Sequence, residues 1–488
     1  MASCFGTDVV KPMVALPRHP APHGLTASSL QFGQARPVGG GAQARAGSFA
    51  SRGRASAQVA APALGIALLL HAAARRRSRQ QAGRRRSVAA KSSSSSSSSS
   101  SSQKGQAYLN FTGFPFPLGP LFARRTVRTQ VDERIWTFEQ EQSLANIAVN
   151  VRMTAILLES GELWIHNPVA PTEECVELVR ELGYPVKYIV LASTQYEHKV
   201  FVGPFARRWP EAKVYTVPQQ WSFPLDLPSA LFGIFSSGDL VDNDTNAPWS
   251  SEISQKLLCP KDRLGLGYSA AECAFFHRRS KTLLCTDALV YVPQTPPSVL
   301  DRNELIALGR NNNNIVLDLT AATNWRGSGD IVREAKEQEA AAPPMSDDQL
   351  LERGWKRDAL LALFFGPDGG SIVDPSKAFG NIQGKWIVGP VCFSLVYGGK
   401  IRQDVRAWAN AICEWDFQQI LPCHFAGPVS GSRDDVRRAF EVLEDEVNAT
   451  AEPQGGLPWP FAQPVRYRAD DIKLLTDLRD ILRNFNVI

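Results

Sequence analysis

The chain of 488 residues has eight cysteines, and no two of them form a C-x-x-C pair. A paired-thiol redox motif is excluded on that spacing, and reduced, mostly buried thiols are expected. Acidic residues are nearly absent from the first 104 positions, where Asp8 stands against fifteen Lys or Arg. That segment carries +14 and the whole chain +5, so residues 105–488 carry −9. The basic balance therefore belongs to the N-terminal segment. The mildly acidic remainder argues against a nucleic-acid grip. Long apolar runs are also missing. The run Val59–Ala74 is interrupted by Pro62 and His71 and is followed by Arg75-Arg76-Arg77. It falls short of the ~20 apolar residues that a spanning helix needs. No internal repeat is present, and no stable membrane span is expected in the mature part.

What is present divides the chain. Residues 1–91 are rich in Ala, Arg, Ser, Gly and Gln, the composition of an organelle targeting leader. A basic, acid-poor leader with an internal hydrophobic run resembles plastid leaders, with mitochondrial import as the alternative. Residues 92–105 begin with eleven serines, Ser92–Ser102, which cannot form a core and read as a disordered linker. A folded domain is expected over 106–468, with an insertion or cap at 293–355 and a C-terminal helix at 469–488.

In chain order, Val131–Phe138 alternates like a strand. Asn150–His166 holds two apolar runs flanking Glu159-Ser160-Gly161-Glu162, a hairpin signal. Pro171–Leu182 is predicted helical, with Thr172 as cap and Gly183 as stop. Tyr188–Ala192 is a predicted buried strand, followed by a helix over Lys199–Trp209 and a strand at Lys213–Val217. Leu257–Pro260, Cys273–His277 and Thr282–Cys285 are further strands, the last two forming a hairpin. Residues 293–355 look irregular, and their length makes them a candidate lid. Helices are expected over Lys356–Phe365, Gln403–Trp415, Asp434–Asn448 and Ala469–Phe485, with Ile420-Leu421 as the last core strand. The pattern implies an α/β layered core.

Three predicted strands end in metal-ligating side chains. Tyr188–Ala192 runs into Glu197 and His198, Leu283-Leu284-Cys285-Thr286 into Asp287, and Ile420-Leu421-Pro422-Cys423 into His424. Strand ends are where α/β proteins place their chemistry. Two imidazoles and two carboxylates suit one divalent metal, Zn²⁺, Fe²⁺ or Mn²⁺.

Strand hairpins, a strand running into a ligand-bearing turn, then a helix, with later Asp and His at strand ends, resemble the metallo-β-lactamase superfamily. The resemblance covers roughly residues 130–290 and 400–430 and implies an αββα four-layer sandwich. The superfamily's H-x-H-x-D-H run corresponds to Ser193-Thr194-Gln195-Tyr196-Glu197-His198, which keeps the last His and has Glu for Asp. Its next His corresponds to Tyr268 after Gly267, its bridging Asp to Asp287, and its final His to His424. On this alignment one half-site, Glu197, His198, Asp287 and His424, is complete, and the other is lost at three side chains. A branch found in plastid-bearing organisms and cyanobacteria shares the patterns Thr137-Phe138-Glu139-Gln140 and His166-Asn167-Pro168, and the chain resembles it.

The resemblance implies a plastid hydrolase with one metal, acting on an ester, thioester or phosphoester. Asp287 would serve as general base, and the Tyr268 hydroxyl would donate to an oxyanion. The alternatives are a non-catalytic binding or assembly factor that has lost the binuclear site, and a redox or sensory iron protein. The partner is then a small-molecule substrate or another protein. Each site residue also has a plain reading. Glu197 suits a first helical turn, Asp287 can cap a turn, His424 can be a loop histidine, and Tyr268 can simply pack. His166 is either a fifth polar group in the site or a turn histidine, and His277 is expected to be structural.

Overall fold

The computed structural model describes residues 105–109, 119–120, 122–144, 147–220, 227–264, 268–312, 314–323, 328–444 and 467–484. The leader, nearly all of the serine linker, and Gly267 lie outside the described residues.

A seven-stranded sheet comes first, in the order β1 to β7. β1 (Val127–Asp132), β2 (Ile135–Leu144), β3 (Ile147–Leu157) and β4 (Leu163–His166) form an antiparallel meander. β5 (Val186–Leu191), β6 (Lys213–Thr216) and β7 (Gly238–Asp239) then add in parallel. The single strand expected over Val131–Phe138 is instead two, folded back at Glu133-Arg134. The expected Glu159–Glu162 turn does join β3 to β4. Between β4 and β5 runs α1 (Glu173–Arg180), with the Thr172 hydroxyl accepting the Cys175 N–H.

The helix expected over Lys199–Trp209 is broken into α2 (Tyr196–Lys199) and α3 (Val202–Ala206). Pro204 has no N–H to continue the ladder from Val200, so the first helix stops there. Gly203 permits the close approach that follows: a Cβ there would lie 2.4 Å from the Phe232 carbonyl oxygen.

The second sheet has five strands in the order β14-β13-β10-β9-β8. These are β8 (Ile253–Leu258), β9 (Glu272–His277), β10 (Thr282–Leu284), β13 (Gln419–Leu421) and β14 (Val429–Ser430). β9 and β10 form the expected hairpin, and β10 pairs in parallel with β13. β13 is not the last strand, because β14 pairs back onto it. β11 (Val290–Tyr291) and β12 (Trp386–Ile387) make a separate pair.

The region expected to be irregular is helical. It contains α4 (Arg302–Gly309), α5 (Ile315–Thr323), α6 (Ser328–Ala341) and α7 (Asp347–Phe364). Ser346 and Gln349 close a capping box at the start of α7. Gly309 and Gly354 let α4 and α7 touch, since a Cβ on Gly354 would sit 1.8 Å from the Leu305 oxygen. α8 (Arg402–Ile412), α9 (Arg433–Phe440) and α10 (Ala469–Asn484) follow.

Strand alternation sorts the side chains into layers. Ile165, Ile189 and Leu191 face Cys175, Val179 and Phe205 on the outside of the first sheet. Their neighbours Trp164 and Val190 face inward and meet the opposing row on the second sheet, Cys273, Phe275, Leu284 and Leu421. Ala274, Phe276, Leu283 and Ile420 then face outward against Trp355, Ala359, Trp408, Ile412 and Val436. The order helix, sheet, sheet, helix is the expected αββα sandwich. Trp355 and Ala359 of α7 lie in that outer core, so this part of the chain is a structural layer rather than a detachable lid. Among the described residues, no helix is long and apolar enough to cross a membrane.

Candidate metal centre

The C-terminal ends of β5, β10 and β13 converge at one edge of the sandwich. Glu197, His198, Asp287 and His424 each bring a ligand atom there, all within 4.8 Å of one another. The four residues expected at three strand ends therefore do come together. His198 is fully buried, Asp287 and His424 are each 9% exposed, and Glu197 is half-buried.

Asp287 is the centre of the group. Its Oδ1 lies 3.3 Å from His198 Nε2 and 3.1 Å from His424 Nε2. Its Oδ2 accepts the Ser193 hydroxyl at 3.3 Å. Burial works to raise the Asp287 pKa, yet the two imidazoles hold it well below the usual carboxylate range. Burial and the Asp287 charge raise Glu197. For His424, burial works downward, but the bond to Asp287 and its charge carry the net shift upward. Tyr268 stands close enough that Glu197 adds to burial in raising its hydroxyl, so it stays a proton donor.

The donor set suits a cation on one specific observation. His424 Nδ1 lies 2.8 Å from the Asn150 carbonyl, which can only accept, so Nδ1 carries a proton. Nε2 of a neutral ring then turns a lone pair on a carboxylate oxygen 3.1 Å away. A cation or a shared proton must lie between them. A ligating His commonly donates its other N–H in this way. His198 does not follow that pattern: its Nδ1 is buried without a hydrogen-bond partner.

The loops that carry these groups are held by buried polar side chains. Asn167 adopts φ 47°, a left-handed backbone that Asn tolerates better than most residues. Its Oδ1 accepts the Ala192 N–H at 2.8 Å, and its Nδ2 donates to Thr286 Oγ1 at 3.0 Å and Cys423 Sγ at 3.3 Å. One side chain thus ties the ends of β4, β5, β10 and β13. The His424 loop is gripped from β2 and β3. Arg152 donates to the Pro422 and Phe425 carbonyls and pairs with Glu139 at 2.7 Å. Asn150 Oδ1 accepts the Phe425 N–H at 2.7 Å. Gln140 holds the chain after Pro168 through both polar atoms of Ala170. Glu272, absent from the sequence expectations, accepts the backbone N–H groups of Thr286, Asp287 and Ala288. Burial and the Asp287 carboxylate push its pKa up to about 8 against those three donors.

The stretches Thr137–Gln140 and His166–Pro168 thereby acquire roles. Glu139 and Gln140 of one, and Asn167 of the other, clamp the strand ends around the cluster. A family described as "Domain of unknown function (DUF4336)" matches residues 132–385 and 373–442, well over half of the chain. The chain belongs to this family. The DUF4336 match runs through the helical layer as well as both sheets. Among curated proteins, none matches in sequence. Among solved structures, the chain is similar to a metallo-beta-lactamase from Pontibacter korlensis, with 12% identity, 38% of this chain and 83% of that one covered, and a TM-score of 0.28. The flavodiiron core of Flv1 from Synechocystis sp. PCC6803 gives 10% identity, 67% and 63% coverage and a TM-score of 0.36. Metallo-beta-lactamase IND-7 gives 9%, 66% and 98% coverage and a TM-score of 0.32.

His166 is not a fifth member of the cluster. It is buried behind it, stacked on Trp164 with Cys423 Sγ 3.9 Å from its Nδ1, and burial lowers its pKa to about 3. His277 is structural as expected, bonded to Ser280 Oγ at 2.7 Å. Cys392, from the chain after β12, lies near enough to feel the charges of Asp287, Glu272 and Glu197, which add to burial in raising its thiol. Nothing in its sequence surroundings marked it.

Proposed function

We propose that Glu197, His198, Asp287 and His424 hold a single divalent cation, Zn²⁺, Fe²⁺ or Mn²⁺, and that the protein hydrolyses an ester, thioester or phosphoester in the plastid. The observation that supports this is the facing of His424 Nε2 and Asp287 Oδ1 with the proton of the ring fixed on the other nitrogen. Held by these four residues, a divalent cation would supply Lewis acidity, lowering the pKa of a water toward neutrality and polarising a substrate oxygen.

The residues divide the remaining work. Asp287 uses Oδ1 toward the cluster, and Ser193 orients Oδ2, the oxygen left to accept a proton from the attacking water. Tyr268, protonated and beside Glu197, donates to the oxygen that gains charge as the substrate carbonyl or phosphoryl group is attacked. Asn167 and Arg152 keep the strand ends from separating.

A second reading has its own support. A doubly protonated His424 paired with Asp287 also balances the cluster, which then serves as a structural ion pair in a binding or assembly factor. Elemental analysis of the purified protein separates the two. About one equivalent of metal, lost in a His198→Ala/His424→Ala double variant, supports the hydrolase reading. No metal in a folded wild-type protein refutes it. The plastid assignment rests on the basic leader. A mature N-terminus between Gln80 and Gln106 is expected, and one before Arg75 would contradict it.

A further inference from the structure

We infer that Glu272 is the positioning residue of the centre, setting the separation of its two ligand-bearing loops; this rests on the cation reading above. The residue is 2% exposed and opens β9. Its carboxylate spends both oxygens on backbone. Oε1 accepts the Thr286 N–H at 2.8 Å, and Oε2 accepts those of Asp287 at 3.2 Å and Ala288 at 3.1 Å. Three consecutive amides of the Asp287 loop therefore converge on one side chain.

The residues on either side of Glu272 hold the other loop through their backbone. Glu272 bridges Ser193, the first residue of the turn that leads to Glu197 and His198. The flanking bonds, Cys273 N–H to Ala192 O at 2.8 Å and Thr194 N–H to Ala271 O at 3.1 Å, make that attachment. With its side chain on one loop and the main chain of its two neighbours on the other, Glu272 fixes how far Asp287 stands from His198. An apolar residue would leave three buried N–H groups without an acceptor. A glutamine would offer one oxygen where two are used and turn an N–H₂ group on N–H donors.

The test uses purified full-length protein, stripped and titrated with Co²⁺, comparing wild type with Glu272→Gln. The expected result is 10- to 100-fold weaker Co²⁺ binding, the usual cost of losing an outer partner of a metal ligand. The visible Co²⁺ bands should also shift, which a general loss of stability would not produce in protein that remains folded. Wild-type affinity and spectrum in the variant would overturn the inference. If the variant does not fold, amide exchange on cation-free wild type decides. Strong protection of a peptide containing residues 286–288 supports the hold by Glu272, and free-peptide exchange rates there overturn it. A wild-type chain that takes up no Co²⁺ refutes the cation reading itself, a result distinct from either Glu272 outcome.

Discussion

Replacing Asn167 by alanine removes three hydrogen bonds and leaves a backbone shape that alanine dislikes. The Ala192 N–H, buried between strands, loses its acceptor at 2.8 Å, which costs about 1–3 kcal/mol. Thr286 Oγ1 and Cys423 Sγ lose a donor, worth about 0.5–1.5 kcal/mol together. Holding alanine at φ 47° adds about 1 kcal/mol. The sum is a destabilisation of about 2.5–5.5 kcal/mol. Asn167→Gly has no strain at that φ but loses the same bonds, so it should recover about 1 kcal/mol relative to alanine. Urea unfolding followed by tryptophan fluorescence, reporting through Trp164 beside the site, measures both. An alanine variant within about 1 kcal/mol of wild type, or a glycine variant no better than alanine, would refute the role of Asn167 as the tie between strand ends.

Arg152→Met should cost about 3–5 kcal/mol, because Glu139 loses its cationic partner and the Pro422 carbonyl its donor, while the Phe425 carbonyl keeps Asn150; calorimetric melting checks this, and a neutral change would show that the grip on the His424 loop is dispensable. His198→Ala and His424→Ala should each strip metal while His277→Ala should not, read by elemental analysis; equal metal content in all three would place the site elsewhere. His166 has a folded pKa near 3 against about 6.5 unfolded. The unfolded chain therefore binds the extra proton, and this residue's contribution is intact above about pH 6.5 and declines by about 1.4 kcal/mol per pH unit on the way down toward pH 3. His166→Gln should flatten that decline in urea unfolding at pH 7, 6 and 5, and an unchanged slope would sink the assignment.

The four cluster residues were readable because each follows an apolar run, and the run itself places a side chain at a strand end. The layers were readable for the same reason, since the alternation of Trp164 with Ile165 and of Phe275 with Phe276 gives the two faces directly. The supporting side chains carry no such local mark. Arg152 meets Phe425 and Asn167 meets Cys423 from far apart in the chain, and a polar residue inside a strand does not announce its partner. Glu272 reads as an ordinary acid at the start of a strand until the Asp287 loop is seen folded over it. The helices at 302–341 and the start of α7 were missed because their apolar stripe is weak: α6 buries Val332 and Ala335 alongside Ser328 and Gly329. Pro204 broke a helix that the periodicity alone would have continued.

The pairing of β10 with β13 joins Thr282 to Gln419, so the long stretch of chain between them must close as a loop for those strands to meet. Closing so long a loop is entropically costly and slow compared with forming the meander of β1 to β4. His424 thus arrives beside Asp287 as one of the last events in maturation. On a ribosome, the chain would leave the exit tunnel with Glu197, His198 and Asp287 already made and their fourth companion still to be synthesised. On the proposed cation reading, capture of an ion at full strength would signal that assembly has finished, and in refolding its uptake should trail the recovery of secondary structure.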